Sequence, residues 1–298
     1  MTYMDYINQS SNITYIMQDS ICLIYLTISI IILMSATVSD VRTREVDDRH
    51  WIVLSVMGIT IQATLATDSH IHMTIGLMTD ILLMTYMFWD RTEGVVGAVV
   101  VVVAFLITTV SWATDISNPI ACRNIITCLM FVIFLGMYHL KLIRGGADAK
   151  ALMCVAICFP TYIEVHGLPI LWHAAPPISY LFNPPLMTLF VALLISMLYS
   201  VYIAAVNIHN GDWHRFMLSR YWTSIDEARE SFVWPIIDIG NGKTIGTESY
   251  DDADEIYDRL EENGFGRVLV TPMIPFILPI TIGFVFTVLL GDPMLSII

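Results

Sequence analysis

Basic side chains are scarce in this chain of 298 residues: 14 Lys plus Arg stand against 27 Asp plus Glu, for a net charge of −13. All charged residues together make up only 14%, where a globular domain carries about a quarter, so that class is excluded. Cysteines are few and wrongly spaced for a framework. Cys22, Cys122, Cys128, Cys154 and Cys158 lie inside apolar runs without a C-x-x-C pair, which argues against disulfide staples and a zinc site and leaves them as small helix residues. No basic stretch precedes the first apolar run, which argues against a cleaved secretory signal. Internal repeats are absent too, and nothing in so acidic a chain points to a nucleic-acid partner.

Long apolar runs are what the chain has instead. With 56% hydrophobic residues and a mean hydropathy of +0.69, it reads as a polytopic membrane protein in a lipid bilayer. Runs at about 21–39, 51–67, 73–89, 94–113, 120–140, 149–165, 184–206 and 272–291 match the roughly 20 residues that a spanning helix needs. The expected fold is therefore all-α, with about eight transmembrane helices and a small α+β insert before the last one. Residues 1–206 would form the membrane domain, 207–271 a soluble insert and 272–298 the final transmembrane helix. Within the insert, Ile256 and Leu260 stand i, i+4 in an acidic stretch that Gly264 follows, predicting a short amphipathic helix. "GRVLVTP" predicts a strand after it.

Lys and Arg collect in cytoplasmic loops. If the first helix runs inward, Arg42, Arg44, Arg49, Arg91, Lys141, Arg144, Lys150 and the whole insert lie inside, so 13 of the 14 basic residues share one side and only Arg123 falls near the other. An acid within or at the rim of a membrane is costly, about 2.5 to 3.5 kcal/mol at a helix centre, and is a functional candidate by default. The candidates are Asp40, Asp80, Asp148 and Glu164. Helix parity puts Asp40, at the inner end of the first helix, and Asp148, at the inner start of the sixth, on the same face. Two such carboxylates share a proton, as an aspartic protease requires: one is base toward water and the other is acid toward the scissile carbonyl. In "IRGGADAK", Gly145 and Gly146 open backbone conformations and close approach to a peptide beside Asp148, and Ala147 and Lys150 complete the candidate substrate-binding loop. Asp47 and Asp48 are assigned to a charged loop, Asp80 to a partner on a neighbouring helix or an ion path, and His139 to a hydrogen-bonded core position.

"SATVSDVRTREVDDRHWIV" around Asp40, "GGADAKAL" around Asp148 and "VLVTPMIPFILPITIGF" at the last helix, in this order, resemble the archaeal preflagellin peptidases. These are relatives of the type IV prepilin peptidases within the GxGD aspartic proteases. The resemblance implies an endopeptidase that removes a short basic leader from preflagellins or prepilin-like precursors at the cytoplasmic face of the cell membrane. It further implies that Asp40 and Asp148 are the catalytic acids, with no metal or other cofactor. Two departures stand out: Ala147 replaces the glycine next to the acid, and the stretch between the acids is longer than in six-helix members, which an extra helix pair would explain. The alternatives are a presenilin-like intramembrane protease, whose Pro-Ala-Leu motif is absent, and an ion-coupled transporter using Asp80. Transporters commonly show inverted repeats, and none is seen here.

Overall fold

The computed structural model describes the backbone of residues 3–65, 70–89, 94–170, 178–212, 218–240, 243–246 and 252–292. Side chains are described for residues 18–64, 70–89, 94–170, 178–212, 218–238 and 252–292. The chain divides into two compact units, Met1–Leu193 with Pro275–Ile298, and Leu194–Ile274.

The first unit is helical: α1 (Tyr3–Thr43), α2 (Arg49–Leu65), α3 (His70–Phe88), α4 (Val95–Thr114), α5 (Pro119–His139), α6 (Gly146–Cys158), the single turn α7 (Ile178–Leu181), the first part of α8 (Pro184–Asn210), and α11 (Ile277–Leu290). Each apolar run contains a helix, and the protein is a multi-pass membrane protein. Among the described residues, five helices are long and apolar enough to cross a bilayer: Gln18–Thr43 within α1, then α3, α4, α5 and α8. The expected eight spans are therefore not all met, because α2, α6 and α11 have 17, 13 and 14 residues. α6 stops at Cys158 rather than continuing to 165 because Phe159 precedes Pro160, and a residue before proline is pushed out of the helical region. α11 begins at Ile277 rather than near 272 because the chain is still paired as a strand through Pro272.

α4 shows how the bundle is sorted. Its buried positions, Gly97, Val101, Ala104, Thr108 and Ser111, recur every three or four residues and are mostly small, whereas Val95, Val99, Val102, Leu106 and Val110 are exposed. On this helix the large apolar side chains thus face outward and small ones let neighbours approach, as lipid surroundings favour, whereas α5 buries Phe131 and Phe134. α5 starts cleanly, since Asn118 Oδ1 accepts from the N–H groups of Ile120 and Ala121 and Pro119 takes the first position.

α6 is the centre of the unit, with every residue from Ala151 to Cys158 buried. It is pinned to α2 along its length. Cys158 Sγ donates to the Leu54 carbonyl at 3.2 Å, Cys154 Sγ lies 3.2 Å from Ser55 Oγ, and Gln62 Nε2 donates to the Ile157 carbonyl. Tyr25 Oη of α1 donates to the Cys158 carbonyl at 3.1 Å. Two carbonyls at the end of α6, which have no partner within the helix, are satisfied by these side chains. The cysteines are helix-packing residues, as expected. Gly58 is obligatory here: a Cβ would stand 2.6 Å from Cys158 Sγ.

The second unit continues α8 and adds β1 (Tyr221–Ser224), α9 (Ile225–Glu230), β2 (Val233–Pro235), β3 (Ile237–Gly240), β4 (Lys243–Gly246), α10 (Ala253–Glu262) and β5 (Arg267–Pro272). β5 is central in an antiparallel sheet of order β1-β5-β2, with Tyr221 opposite Val270 and Val233 opposite Pro272, and β3 pairs β4 as a separate ribbon. Val268 and Val270 of β5 point to one face and pack with Ile256, Tyr257 and Leu260 of α10 and with Ile225 and Ala228 of α9. The predicted amphipathic helix and strand are α10 and β5. Gly264 follows α10 at φ +81°, a conformation that favours glycine.

Candidate active site

Asp40 lies in the last turn of α1, which ends where Arg44 turns to φ +58°. Ser39 Oγ and Thr43 Oγ1 both donate to the Glu45 carbonyl, at 2.8 and 3.1 Å, so the loop after Asp40 is folded back onto the helix that carries it. Asp40 is buried, and the N–H of Ile277, the first residue of α11, donates to its carboxylate. A helix N-terminus favours an anion at that point. α11 is held in register with α1 by Thr37 and Thr281, whose hydroxyl oxygens are 2.8 Å apart. The Arg44 charge also bears on Asp40. The second carboxylate oxygen, Oδ2, is buried without a hydrogen-bond partner, an arrangement that is expensive unless the oxygen carries a proton or meets a ligand.

Asp148 occupies the first turn of α6, ahead of the apolar stretch of a helix too short to span a bilayer alone. The fold brings it to Asp40: burial, and then the charge of Asp40, push its carboxyl up to about 7. Two carboxyls that interact in this way titrate as a coupled pair. Parity placed these acids on one face, and Asp148 lies within electrostatic reach of Asp40.

Gly145 is not used as the sequence suggests. Its φ of −78° is open to any residue. What it provides is space: a Cβ at 145 would collide with Asp148 Oδ2 and lie 2.8 Å from Asp148 Cγ, so the carboxylate folds back over the glycine. At Gly146 a Cβ would meet only Tyr138 Oη, at 3.8 Å. Ala147, the departure from the G-x-G-D pattern, sits in the first turn of a regular helix with its methyl against the core, and alanine is the best former of such a helix.

The other candidates separate from this pair. Lys150 Nζ lies 2.6 Å from both oxygens of Asp48, which ties the first turns of α6 to the loop ahead of α2. Asp47 Oδ1 accepts from the Arg49 N–H at 2.9 Å and starts α2. Asp80 is buried in α3 within reach of the Arg123 charge on α5, so the one basic residue expected near the outer face is an intramolecular partner. Glu164 is exposed beyond the far end of α6. His139 is exposed at the end of α5, with Nε2 3.5 Å from Tyr86 Oη, and is not a core residue. Arg44 and the Ile277 N–H were not singled out from the sequence; the only hint of the latter was the quoted segment at the last helix.

Comparison with known proteins bears on most of the chain. The preflagellin peptidase of Methanococcus voltae is 26% identical over 274 residues, covering 89% of this chain and 94% of the relative. That of Methanocaldococcus jannaschii is 22% identical over 270 residues, covering 89% and 93%. The chain is a relative of the preflagellin peptidases. Residues 213–293 also match the family described as Archaeal Peptidase A24 C-terminus Type II. The matched span contains β1 to β5 and all of α11, including the Ile277 N–H that meets Asp40.

Proposed function

We propose that this protein is a membrane aspartic endopeptidase that removes the leader from preflagellin-type or prepilin-like precursors, with Asp40 and Asp148 as its acid and base. The observation that carries the reading is that two carboxyls 108 positions apart lie within electrostatic reach of each other, one with an unpartnered buried oxygen and the other raised to about 7. In the singly protonated pair, the ionised carboxylate takes a proton from a water molecule, whose oxygen attacks the scissile carbonyl carbon. The protonated carboxyl gives its proton to the carbonyl oxygen. Collapse of the tetrahedral intermediate breaks the C–N bond: the leaving nitrogen receives the proton that the base took from water, and as the C=O re-forms a hydroxyl of the intermediate returns its proton to the other aspartate. The reading places this site at the cytoplasmic surface, because the short loops at the same end of the helices carry Arg42, Arg49, Lys141 and Arg144.

The test is cleavage of a preflagellin that retains its leader by membranes holding the wild type, Asp40→Asn, Asp148→Asn or Glu164→Gln. The wild type and Glu164→Gln should cut, and each aspartate variant should lose at least about 10³-fold in rate, as removal of an acid or base does. Persistent cleavage by either aspartate variant would overturn the two-carboxyl mechanism.

A further inference from the structure

Asp48 and Lys150 stand on the two chain segments that carry the carboxyls. Asp48 lies eight residues after Asp40 and Lys150 two residues after Asp148, and the Lys150 ammonium is 2.6 Å from both oxygens of the Asp48 carboxylate. The path from Asp40 to Asp48 is short and hydrogen-bonded along its length. The Arg44 N–H donates to the Asp40 carbonyl at 3.0 Å, and Ser39 and Thr43 hold the Glu45 carbonyl. The Asp48 carbonyl accepts from the N–H groups of Trp51 and Ile52, at 3.0 and 2.9 Å, where α2 begins. On the other side, Lys150 and Asp148 share the first turns of one helix. The ion pair therefore joins the end of α1 to the start of α6 beside the carboxyls.

The same ion pair is the first rung of the contact between α2 and α6. Beyond it, the Trp51 carbonyl accepts from Cys154 Sγ at 3.6 Å and the Leu54 carbonyl from Cys158 Sγ at 3.2 Å. The rungs advance three residues on one helix and four on the other, about one turn each, and both numbers rise together, so the two helices run side by side in the same direction. The thiol rungs are weak donors, whereas the rung nearest Asp148 is charged. The Phe88 ring of α3, with its centre 5.7 Å from the Lys150 ammonium, helps to hold the long side chain in place. Folding gains little from this rung, because both side chains are partly exposed and such pairs contribute little stability. Precision is what it can add. The two carboxyls come from positions 108 residues apart, and a misplacement of about 1 Å between reacting groups can cost roughly 100-fold in rate.

We propose that the Asp48–Lys150 ion pair is a positioning clamp that sets the spacing of the Asp40 and Asp148 carboxyls, with Lys150 acting through Asp48 and not on the substrate. The inference rests on the peptidase reading above. Its test measures kcat, KM and the thermal midpoint of the full-length protein, with a preflagellin that retains its leader as substrate. Asp48→Asn and Lys150→Met should each lower kcat at least about tenfold and leave KM within about threefold. The double variant should lose no more than about threefold beyond either single one, because a pair already broken has nothing further to lose. Lys150→Arg keeps the pair and should stay within about threefold of the wild type, and the swap Asp48→Lys with Lys150→Asp should cut at least about threefold faster than Asp48→Lys alone. Thermal midpoints should stay close to that of the wild type throughout. Three results, obtained while the wild type cuts, overturn the clamp and leave the peptidase standing: both neutral single variants within about twofold of the wild type, losses that multiply in the double variant, or a loss confined to Lys150→Met, which puts Lys150 on the substrate. A midpoint that falls in step with the rate, with no gain from the swap, overturns it as well, since the pair is then a support of the fold. A wild type that cuts no precursor sinks the peptidase reading and the clamp with it.

Discussion

At the scale of single residues, the site depends on where a side chain is missing. Gly145 serves Asp148 by leaving room for its carboxylate, and no unusual backbone angle enters into it. The expected consequence is sharp. In Gly145→Ala the new methyl must displace the carboxylate or shift the first turn of α6, and a misplacement of about 1 Å can cost roughly 100-fold in rate. Cleavage of preflagellin should fall by about that factor while the thermal transition of the purified protein changes little. Gly136→Ala in α5 is the matched control, because a Cβ there meets nothing within 4 Å; its cleavage rate should match the wild type. If Gly145→Ala cuts as fast as Gly136→Ala, the carboxylate does not work in the position described.

At the scale of elements, short helices are held in place by long ones through close backbone approach. α11 is only 14 residues long, yet its N-terminus supplies the N–H that meets Asp40. Its position is fixed on one side by the Thr37–Thr281 contact with α1 and on the other by Gly283, where a Cβ would lie 2.6 Å from the Thr188 carbonyl oxygen of α8. That neighbour is backbone and cannot rotate away. Gly283→Ala should therefore push α11 from α8 and cost about 1 to 3 kcal/mol, as overpacking does, read as a lowered midpoint in detergent unfolding. Activity should drop as well, because the displaced helix end is the one facing Asp40. An unchanged midpoint would mean that the two helices are not in that contact. Much of this level was readable in advance. The five candidate spans among the described residues all fall in the apolar runs, and parity put Asp40 and Asp148 on one face, where the charge of one reaches the other. The end of α6 was marked by Pro160 and overridden by the apolar run, and the start of α11 was hidden by a strand that continues into the same run.

At the scale of the whole molecule, the chain builds two separate cores of large apolar residues. Trp51, Phe131, Phe134 and Phe284 are buried in the membrane unit, and Ile256, Tyr257, Leu260, Val268 and Val270 in the unit Leu194–Ile274. Only part of the second core could be read in the sequence. α10 and β5 showed their periodicity, but β1 to β4, of three or four residues each, are too short to carry a pattern and exist through pairing. The Ile277 contact with Asp40 joins positions 237 residues apart and is a product of packing alone. A core this small has little reserve. Ile256 is fully buried at its centre, so Ile256→Ala should remove about 2 to 5 kcal/mol, the usual cost of a large-to-small core change, and unfold much of the unit. Hydrogen exchange followed by peptide mass spectrometry would show amides of α9, α10 and β5 losing protection while those of α4 and α5 keep theirs. Simultaneous loss across both sets would mean that the two cores fold as one cooperative body, and protection retained in α10 would mean that its apolar face is not what holds the unit together.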